Sequence, residues 1–185
     1  MTHSHGGPTA DVSVRIAWGD DAPAIAAVQV RAWPELYAGV LPADVLPTDV
    51  EAVGAQWRQA LAKPADARHR VLVALERNRV VGFALTSPAV DPDCDPVADG
   101  ELAEVTLDPP ERAKGHGSRL LQAAVDTLAA DRFTRAVTWV NVGDDALLTF
   151  LTEAGWAPDT AHRELDLDGT GATTVKQVRL HTAIG

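Results

Sequence analysis

The sequence has little cysteine, few basic residues and no long apolar run. Cys94 is the one cysteine among 185 residues, which excludes an internal disulfide and favours a reducing cytoplasm. The chain has 16 Lys and Arg against 26 Asp and Glu, a net charge of −10, and such a surface repels nucleic acid and anionic membranes. No apolar run approaches the roughly 20 residues of a transmembrane helix. We therefore expect a cytoplasmic protein without a nucleic-acid or membrane partner.

Length and composition indicate one domain. A chain of 185 residues is long enough for one hydrophobic core and short for two. Residues 1–11 lack the basic and apolar regions of a signal peptide. We predict a flexible leader over residues 1–11 and a single domain over residues 12–185.

Apolar periodicity predicts the elements of this domain. The predicted strands cover residues 12–16, 71–76, 80–86, 101–107, 135–142, 162–167 and 175–181. The predicted helices cover 22–33, 50–62 and 145–154, and a further helix runs from the glycine-rich turn to about residue 130. Gly82 interrupts one strand pattern, which indicates a bulge or a close approach to the backbone. Strand pairs at both ends, with strands and helices alternating between them, favour an α/β (α+β) fold with a mixed, mostly antiparallel sheet of about seven strands and about four helices.

The segment from Arg112 to Leu121 joins a predicted strand to a predicted helix through a glycine-rich turn. Backbone N–H groups converge at such a helix start and attract phosphate oxygens. A P-loop is excluded because Lys114 precedes Gly115, and a Rossmann fingerprint is excluded because the third glycine is missing. The pattern that fits is Arg/Gln-x-x-Gly-x-Gly/Ala between a strand and a helix.

Four segments in order resemble the GNAT superfamily of N-acetyltransferases. Residues 105–117 resemble its fourth strand and pyrophosphate loop, and residues 142–156 resemble the helix after its fifth strand. Residues 80–84 are similar to its third strand, and residues 33–39 to the acceptor-side segment of one large subgroup. The resemblance implies a GNAT-like domain in which strands four and five splay apart.

The resemblance also implies acetyl-CoA as the acetyl donor. Backbone N–H groups of residues 114–119 would cradle the pyrophosphate, and the pantetheine would pair with the edge of the fourth strand, where backbone groups lack partners. The donor-binding residues implied in this way are Val105, Thr106, Leu107, Arg112, Ala113, Lys114, Gly115, His116, Gly117, Ser118, Arg119, Asp144 and Phe150.

Acetyl transfer to an amine requires a base for the ammonium and a proton for the leaving thiolate. Glu101 opens the fourth strand, resembles in position a glutamate base of some family members, and is the favoured base. Glu104 is the second carboxylate, and strand alternation predicts that it faces the opposite side. Leu151 occupies the position of a common family tyrosine and cannot donate a proton. Tyr37, the one tyrosine in the chain, is the remaining candidate.

The predicted acceptor is a primary amine of a small molecule or a peptide. Trp33, Tyr37, Asp99 and Glu101 are the predicted acceptor-binding residues, and the aspartates at 91, 93, 95 and 99 are expected to attract a cation. The histidines show no metal-ligand spacing, so no metal is predicted. Homodimers are frequent in the family, which leaves a homodimer open by analogy.

Two alternatives remain open. Leu151 is compatible with a noncatalytic module that binds acetyl-CoA or CoA without turnover. The same glycine-rich loop would also serve a nucleotide-binding regulator, which ATP or NAD would stabilise more than CoA does.

Overall fold

The computed structural model describes residues 11–185, so nearly all of the predicted leader lies outside the described residues. The strands are β1 Val12–Ile16, β2 Arg70–Glu76, β3 Arg79–Pro88, β4 Asp99–Leu107, β5 Arg135–Asn141, β6 Ala157–Asp166 and β7 Thr174–Ala183. The α-helices are α1 Ala22–Leu36, α2 Val50–Ala62, α3 His116–Ala130 and α4 Asp145–Glu153. Within residues 11–185, no helix has the length and apolarity needed to cross a membrane.

All seven strands join one sheet in the order β1-β2-β3-β4-β5-β7-β6. Every neighbouring pair is antiparallel except β4 and β5, which are parallel because α3 connects them across one face of the sheet. The predicted mixed, mostly antiparallel sheet and its four helices are confirmed.

The helices cover both faces of the sheet. One cluster packs α3 and α4 against the sheet through Leu72, Leu102, Leu120, Ala136 and Leu151. A second cluster packs α1 and α2 against it through Ile25, Val28, Trp57, Val73 and Phe83. Because Leu72 and Val73 are consecutive in β2, their side chains point to opposite faces, and so the two clusters do as well.

Two element boundaries differ from the prediction by three residues or more. Helix α1 continues past Pro34 to Leu36, since a proline in the last turn removes one hydrogen bond and leaves the others intact. Strand β6 begins at Ala157 rather than at residue 162. Pro158 is accommodated there because β6 is the edge strand of the sheet and its register with β7 is interrupted between Pro158 and His162.

Gly82 lies where β3 passes close to β4. A Cβ atom at this position would lie 2.6 Å from Leu107 Cδ2 and 2.9 Å from the Thr106 carbonyl oxygen. The register of β2 with β3 also shifts beside it, between Ala74 and Leu75. The predicted bulge and the predicted close approach are both confirmed, and they hold β3 against the strand that carries the candidate site.

Candidate active site

Strands β4 and β5 pair over only a short stretch. The parallel ladder joins Asp99–Glu101 to Arg135–Val137 and goes no further along the described strands. At its end the Thr138 hydroxyl donates a hydrogen bond of 2.7 Å to the Leu102 carbonyl oxygen, in place of a backbone donor. Beyond this point the facing edges of the two strands have no strand partner, which agrees with the expected splaying.

A cleft of about 120 Å³ lies between the splayed strands. Its walls come from β4, β5, β7, α4 and the end of α1, and they include Leu36, Tyr37, Glu104, Thr106, Thr138, Trp139, Asn141, Leu151 and Gln177. Leu151 is 1% exposed and contributes only apolar surface at the position where the family often has a tyrosine. The cleft therefore has two titratable groups on its walls, Glu104 and Tyr37.

A bulge at Ala103 determines which way the β4 carboxylates point. Leu85 pairs with Glu104, whereas the next residue of β3, Thr86, pairs with Leu102, so Ala103 is the extra residue. Glu101 in turn pairs with Ser87. Because Leu85 and Ser87 lie on the same face of β3, Glu101 and Glu104 lie on the same face of β4. The prediction that they face opposite sides is wrong, since it assumed an uninterrupted strand.

Glu104 is held in the cleft by two donors. The Thr106 hydroxyl donates to its Oε1 at 2.9 Å and the Trp33 indole N–H donates to the same oxygen at 3.3 Å. Its Oε2 accepts no hydrogen bond from residues 11–185. Burial raises the pKa of the Glu104 carboxyl above its ordinary value, and the two hydrogen bonds oppose this increase.

Tyr37 reaches the cleft because α1 extends past Pro34. Its backbone N–H donates to the Trp33 carbonyl oxygen at 2.9 Å, and the two rings meet edge to face at 5.2 Å. Burial and the nearby Glu104 carboxylate raise the pKa of the Tyr37 phenol. The phenol is therefore protonated at neutral pH, and Trp33 and Tyr37, both predicted acceptor-side residues, lie on the same side of Glu104.

Glu101 lies outside the cleft walls. Burial and the Asp91 carboxylate raise its pKa, while Arg163 and Arg179 lower it. Asp99 is 8% exposed, accepts a hydrogen bond from the Asp95 backbone N–H at 2.9 Å and lies 3.5 Å from Arg135. Asp99 is thus engaged at the paired end of β4 and is not among the residues that line the cleft.

The loop aspartates do not form an open cation site. Arg179 is 4% exposed and donates to Asp91 at 3.1 Å, to Asp93 at 2.8 and 2.6 Å, and to Asp159 at 2.6 Å. We call these four residues the Arg179 cluster. Their mutual ion pairs correct the expectation that Asp91 and Asp93 attract a cationic acceptor. The sequence carried one signal for this, an arginine between the apolar residues Val178 and Leu180 of β7.

The glycine-rich loop places a helix start beside the cleft. Gly115 caps α3 with φ of +84°, and Ala113 also has a positive φ of +61°. Such a left-handed cap is easy for glycine, and it turns the chain directly into the first turn of α3. The first N–H groups of a helix have no intrahelical acceptor, and they carry a partial positive charge. The loop therefore presents the anion-binding geometry that the sequence predicted.

The cations of the loop differ in their partners. Lys114 Nζ lies 3.0 Å from Glu111 Oε2, and Arg112 forms an ion pair with Glu35. Arg119 has no ion-pair partner in the described part of the chain, and its guanidinium lies 3.3 Å from where a Cβ of Gly115 would be. Arg119 is thus the loop cation whose donors are all available to an anion.

The remaining loop residues have structural contacts. His116 is 2% exposed, and its Nε2, which has no hydrogen-bond partner within residues 11–185, lies 3.7 Å from Glu76 Oε2. A Cβ on Gly117 would lie 3.4 Å from Leu107 and 3.6 Å from Phe150. His116 therefore contributes its backbone rather than its ring, and Gly117 allows α3 to pack tightly on β4 and α4.

Two further predicted donor residues lie on α4 and α3. The Asp144 carboxylate accepts a hydrogen bond of 3.1 Å from the Leu147 backbone N–H and so caps α4. Ser118, in the first turn of α3, lines a cavity of about 450 Å³ that also includes Phe150 and Glu153. Asp144 is therefore occupied within its own helix, whereas Ser118 is open to this cavity.

The fold brings together two groups of metal-ligand residue types that the sequence spacing did not reveal, Glu76 with Glu111 and His116, and Asp91 with Asp93 and Cys94. Protein cations already contact both groups. Arg79 and Lys114 contact Glu111 at 2.6 and 3.0 Å, and Arg179 contacts both aspartates. The absence of a metal requirement stays a prediction.

Comparison with known proteins identifies the family of this chain. The sequence profile described as the Acetyltransferase (GNAT) family matches residues 30–156. No curated protein sequence matches the chain.

Solved structures share the fold at low sequence identity. The protein yncA of Salmonella typhimurium, solved with its cofactor acetyl-CoA, is 18% identical with a TM-score of 0.69 and covers 95% of each chain. The ribosomal-protein-alanine N-acetyltransferase of Brucella melitensis is 17% identical with a TM-score of 0.68, over 93% of this chain and 99% of the other. PaiA N-acetyltransferase of Thermoplasma acidophilum, solved in complex with coenzyme A, is 14% identical with a TM-score of 0.66, over 93% and 98%.

Proposed function

Since the chain belongs to the GNAT acetyltransferase family, we propose that it transfers an acetyl group from acetyl-CoA directly to a primary amine of a small molecule or peptide. The observation that carries this proposal is the cleft between β4 and β5, which contains a partly buried carboxylate, Glu104. The proposed compartment is the cytoplasm, in which the single thiol of Cys94 stays reduced.

The residues around the loop fit acetyl-CoA. Its pyrophosphate would lie on the N–H groups after Gly115, with Arg119 and Lys114 as cationic partners. Its amide-rich arm would pair with the free edge of β4 at residues 105–107, where backbone groups otherwise lack partners. Acetyl-CoA would supply the acetyl group, activated as a thioester. That yncA and PaiA were solved with acetyl-CoA and coenzyme A supports this assignment.

Glu104 is the proposed base, in preference to Glu101. It lies on the wall of the cleft, and its Oε2 is free of hydrogen bonds from residues 11–185. A raised pKa makes this carboxylate a stronger base towards an ammonium group than an ordinary glutamate. Glu101 remains the second candidate because it lies on the same face of β4.

Tyr37 is the proposed proton donor to the leaving thiolate. Leu151 has no proton to donate, whereas the Tyr37 phenol lines the same cleft and stays protonated at neutral pH. Trp33 keeps both groups in place, because its N–H bonds Glu104 and its ring packs on Tyr37.

A thiol-release assay with acetyl-CoA and a panel of amines tests the proposal. We expect Glu104→Gln to lower kcat/KM by roughly 10²- to 10⁴-fold and Glu101→Gln to lower it far less. The base must be ionised, so wild-type kcat/KM should fall as the pH drops below the raised pKa of Glu104, and this acidic limb should vanish in Glu104→Gln. Loss of the limb in Glu101→Gln instead would assign the base to Glu101.

The noncatalytic alternative predicts a different result. A CoA-binding module would bind CoA tightly by calorimetry and release no thiol with any amine. The buried Leu151 is the observation that keeps this alternative open. Matched CoA binding in the wild type and in Glu104→Gln, with acceptor-dependent turnover in the wild type alone, would exclude it.

A further inference from the structure

A second cavity lies beside the cleft on the face that α1 and α2 cover. It measures about 470 Å³ and lies between the end of α2, the strands β2 and β3, and the bulge of β4. Its walls are mostly apolar and include Trp57, Ala60, Pro64, Val71, Leu85 and Ala103. Its volume falls in the range of small-molecule sites, whereas the 120 Å³ cleft has room only for the reacting ends of two substrates.

The two spaces meet at the bulge. Ala103 lines both of them, and its side chain is exposed. Next to the bulge, Leu85 lines the second cavity and Glu104 lines the cleft, and these two residues are register partners in β3 and β4. A molecule whose amine lies at Glu104 can therefore extend over Ala103 into the second cavity.

The walls of this cavity favour apolar groups. The Trp57 indole N–H is already bonded to Gln29 at 2.7 Å, so Trp57 offers its ring to a ligand. The ring itself is supported by an edge-to-face contact with Phe83 at 5.3 Å. Lys63 also lines the cavity, Arg70 is already bonded to both oxygens of Asp131, and none of the lining residues is a carboxylate, so nothing in the wall attracts a second positive charge.

We propose that this second cavity binds the body of the acceptor, and that the acceptor is an amine with an aliphatic or aromatic substituent rather than a polyamine. The inference rests on the proposed acetyltransfer and specifies its substrate class. The Arg179 cluster supports it, because Asp91 and Asp93, the carboxylates that would attract a polycation, are bonded to Arg179.

The test compares acceptors of equal basicity that differ in apolar length. Unbranched primary amines from ethylamine to hexylamine, together with spermidine, are assayed for acetyl-CoA-dependent thiol release. We expect kcat/KM to rise about fourfold for each added methylene until the cavity is filled, and we expect hexylamine to exceed spermidine. A flat series, or a preference for spermidine, would overturn the inference.

A charge placed in the cavity wall gives an independent check. Ala60 and Gln59 are exposed neighbours on α2, and only Ala60 lines the cavity. Ala60→Asp should reduce kcat/KM for hexylamine at least tenfold and leave ethylamine unchanged, whereas Gln59→Asp should change neither. Equal effects of the two variants on hexylamine would contradict the assignment, provided that both melt at the wild-type temperature.

These experiments distinguish failure of the acceptor-cavity assignment from failure of the proposed acetyltransfer. Turnover of every amine at the same rate, with no effect of Ala60→Asp, would remove the second cavity as an acceptor site and leave acetyltransfer intact. Absence of thiol release with all amines, ethylamine included, would contradict the acetyltransfer itself.

Discussion

At the start of α3, three cations lie at the surface with at most one carboxylate partner each, whereas Arg179 lies 4% exposed among three aspartates. Both regions contain positively charged side chains, but these side chains have different roles. Around Arg179 nearly every donor is bonded within the protein, so the charges connect β7 to the loop before β4 and to β6. At the glycine-rich loop the donors of Arg119 and of the helix start remain available to a ligand.

Removing the buried cation should have the greatest consequence. Arg179→Met leaves Asp91 and Asp159 without their central partner, and Asp159 has a side chain only 7% exposed. Breaking a buried charge pair from one side costs about 3–5 kcal/mol, so the free energy of unfolding in urea should fall by about that amount. Arg119→Met is the matched control and should change it by less than about 0.5 kcal/mol. An equal loss of unfolding free energy in the two variants would contradict the described difference between the Arg179 cluster and the glycine-rich loop.

The reverse contrast should appear in donor binding. Arg119→Met should weaken CoA about tenfold by calorimetry, because one charge-assisted phosphate contact is lost. The difference from the wild type should shrink as salt is raised. Arg58, an exposed arginine of α2 that makes no ion pair in the described part of the chain, supplies the control, and Arg58→Met should bind CoA as the wild type does. A salt-independent loss would point to a packing role for Arg119 instead.

Acid should weaken the cluster through a defined group. The hydrogen bonds from Arg179 lower the pKa of Asp93 to about 2, whereas an unfolded aspartate has a pKa of about 3.9. A depressed folded pKa adds stability that is present above the unfolded pKa and is lost as the pH falls towards 2. The stability of the wild type should therefore decline between about pH 4 and pH 2, and Asp93→Asn should decline less. Parallel curves for the two proteins would exclude Asp93 as a contributor.

The smallest effect is expected where a loop cation pairs at the surface. Glu35→Ala removes the exposed partner of Arg112, and exposed ion pairs contribute about 0–1 kcal/mol. The melting temperature should stay nearly constant, while CoA binding should tighten slightly because Arg112 becomes free for phosphate. A large loss of stability would show that this pair resembles the Arg179 cluster after all.

Local patterns were sufficient for much of the fold. Apolar periodicity located all seven strands and four helices, and the Gly115 and Gly117 spacing identified the helix start that suits a phosphate. The largest errors arose beside Pro34 and Pro158, where α1 was expected to end at residue 33 and β6 to begin only at residue 162. Proline is tolerated in a last helical turn and on an edge strand, and only the completed sheet reveals which strand is at the edge.

The site depended on contacts between distant segments. Glu101 was favoured because it resembles in position a glutamate base of the family, and strand alternation placed Glu104 on the opposite side. The bulge at Ala103 changed that alternation through the pairing of β3 with β4. Asp91 and Asp93 were expected to face a ligand, but Arg179, more than 80 residues away along the chain, binds them. Short-range turn and helix chemistry is encoded in neighbouring residues, so the donor loop was evident in the chain itself. Strand register and buried ion pairs join residues far apart in sequence. The orientation of Glu104 and the ion pairing of Asp91 and Asp93 therefore emerged only when the sheet was assembled.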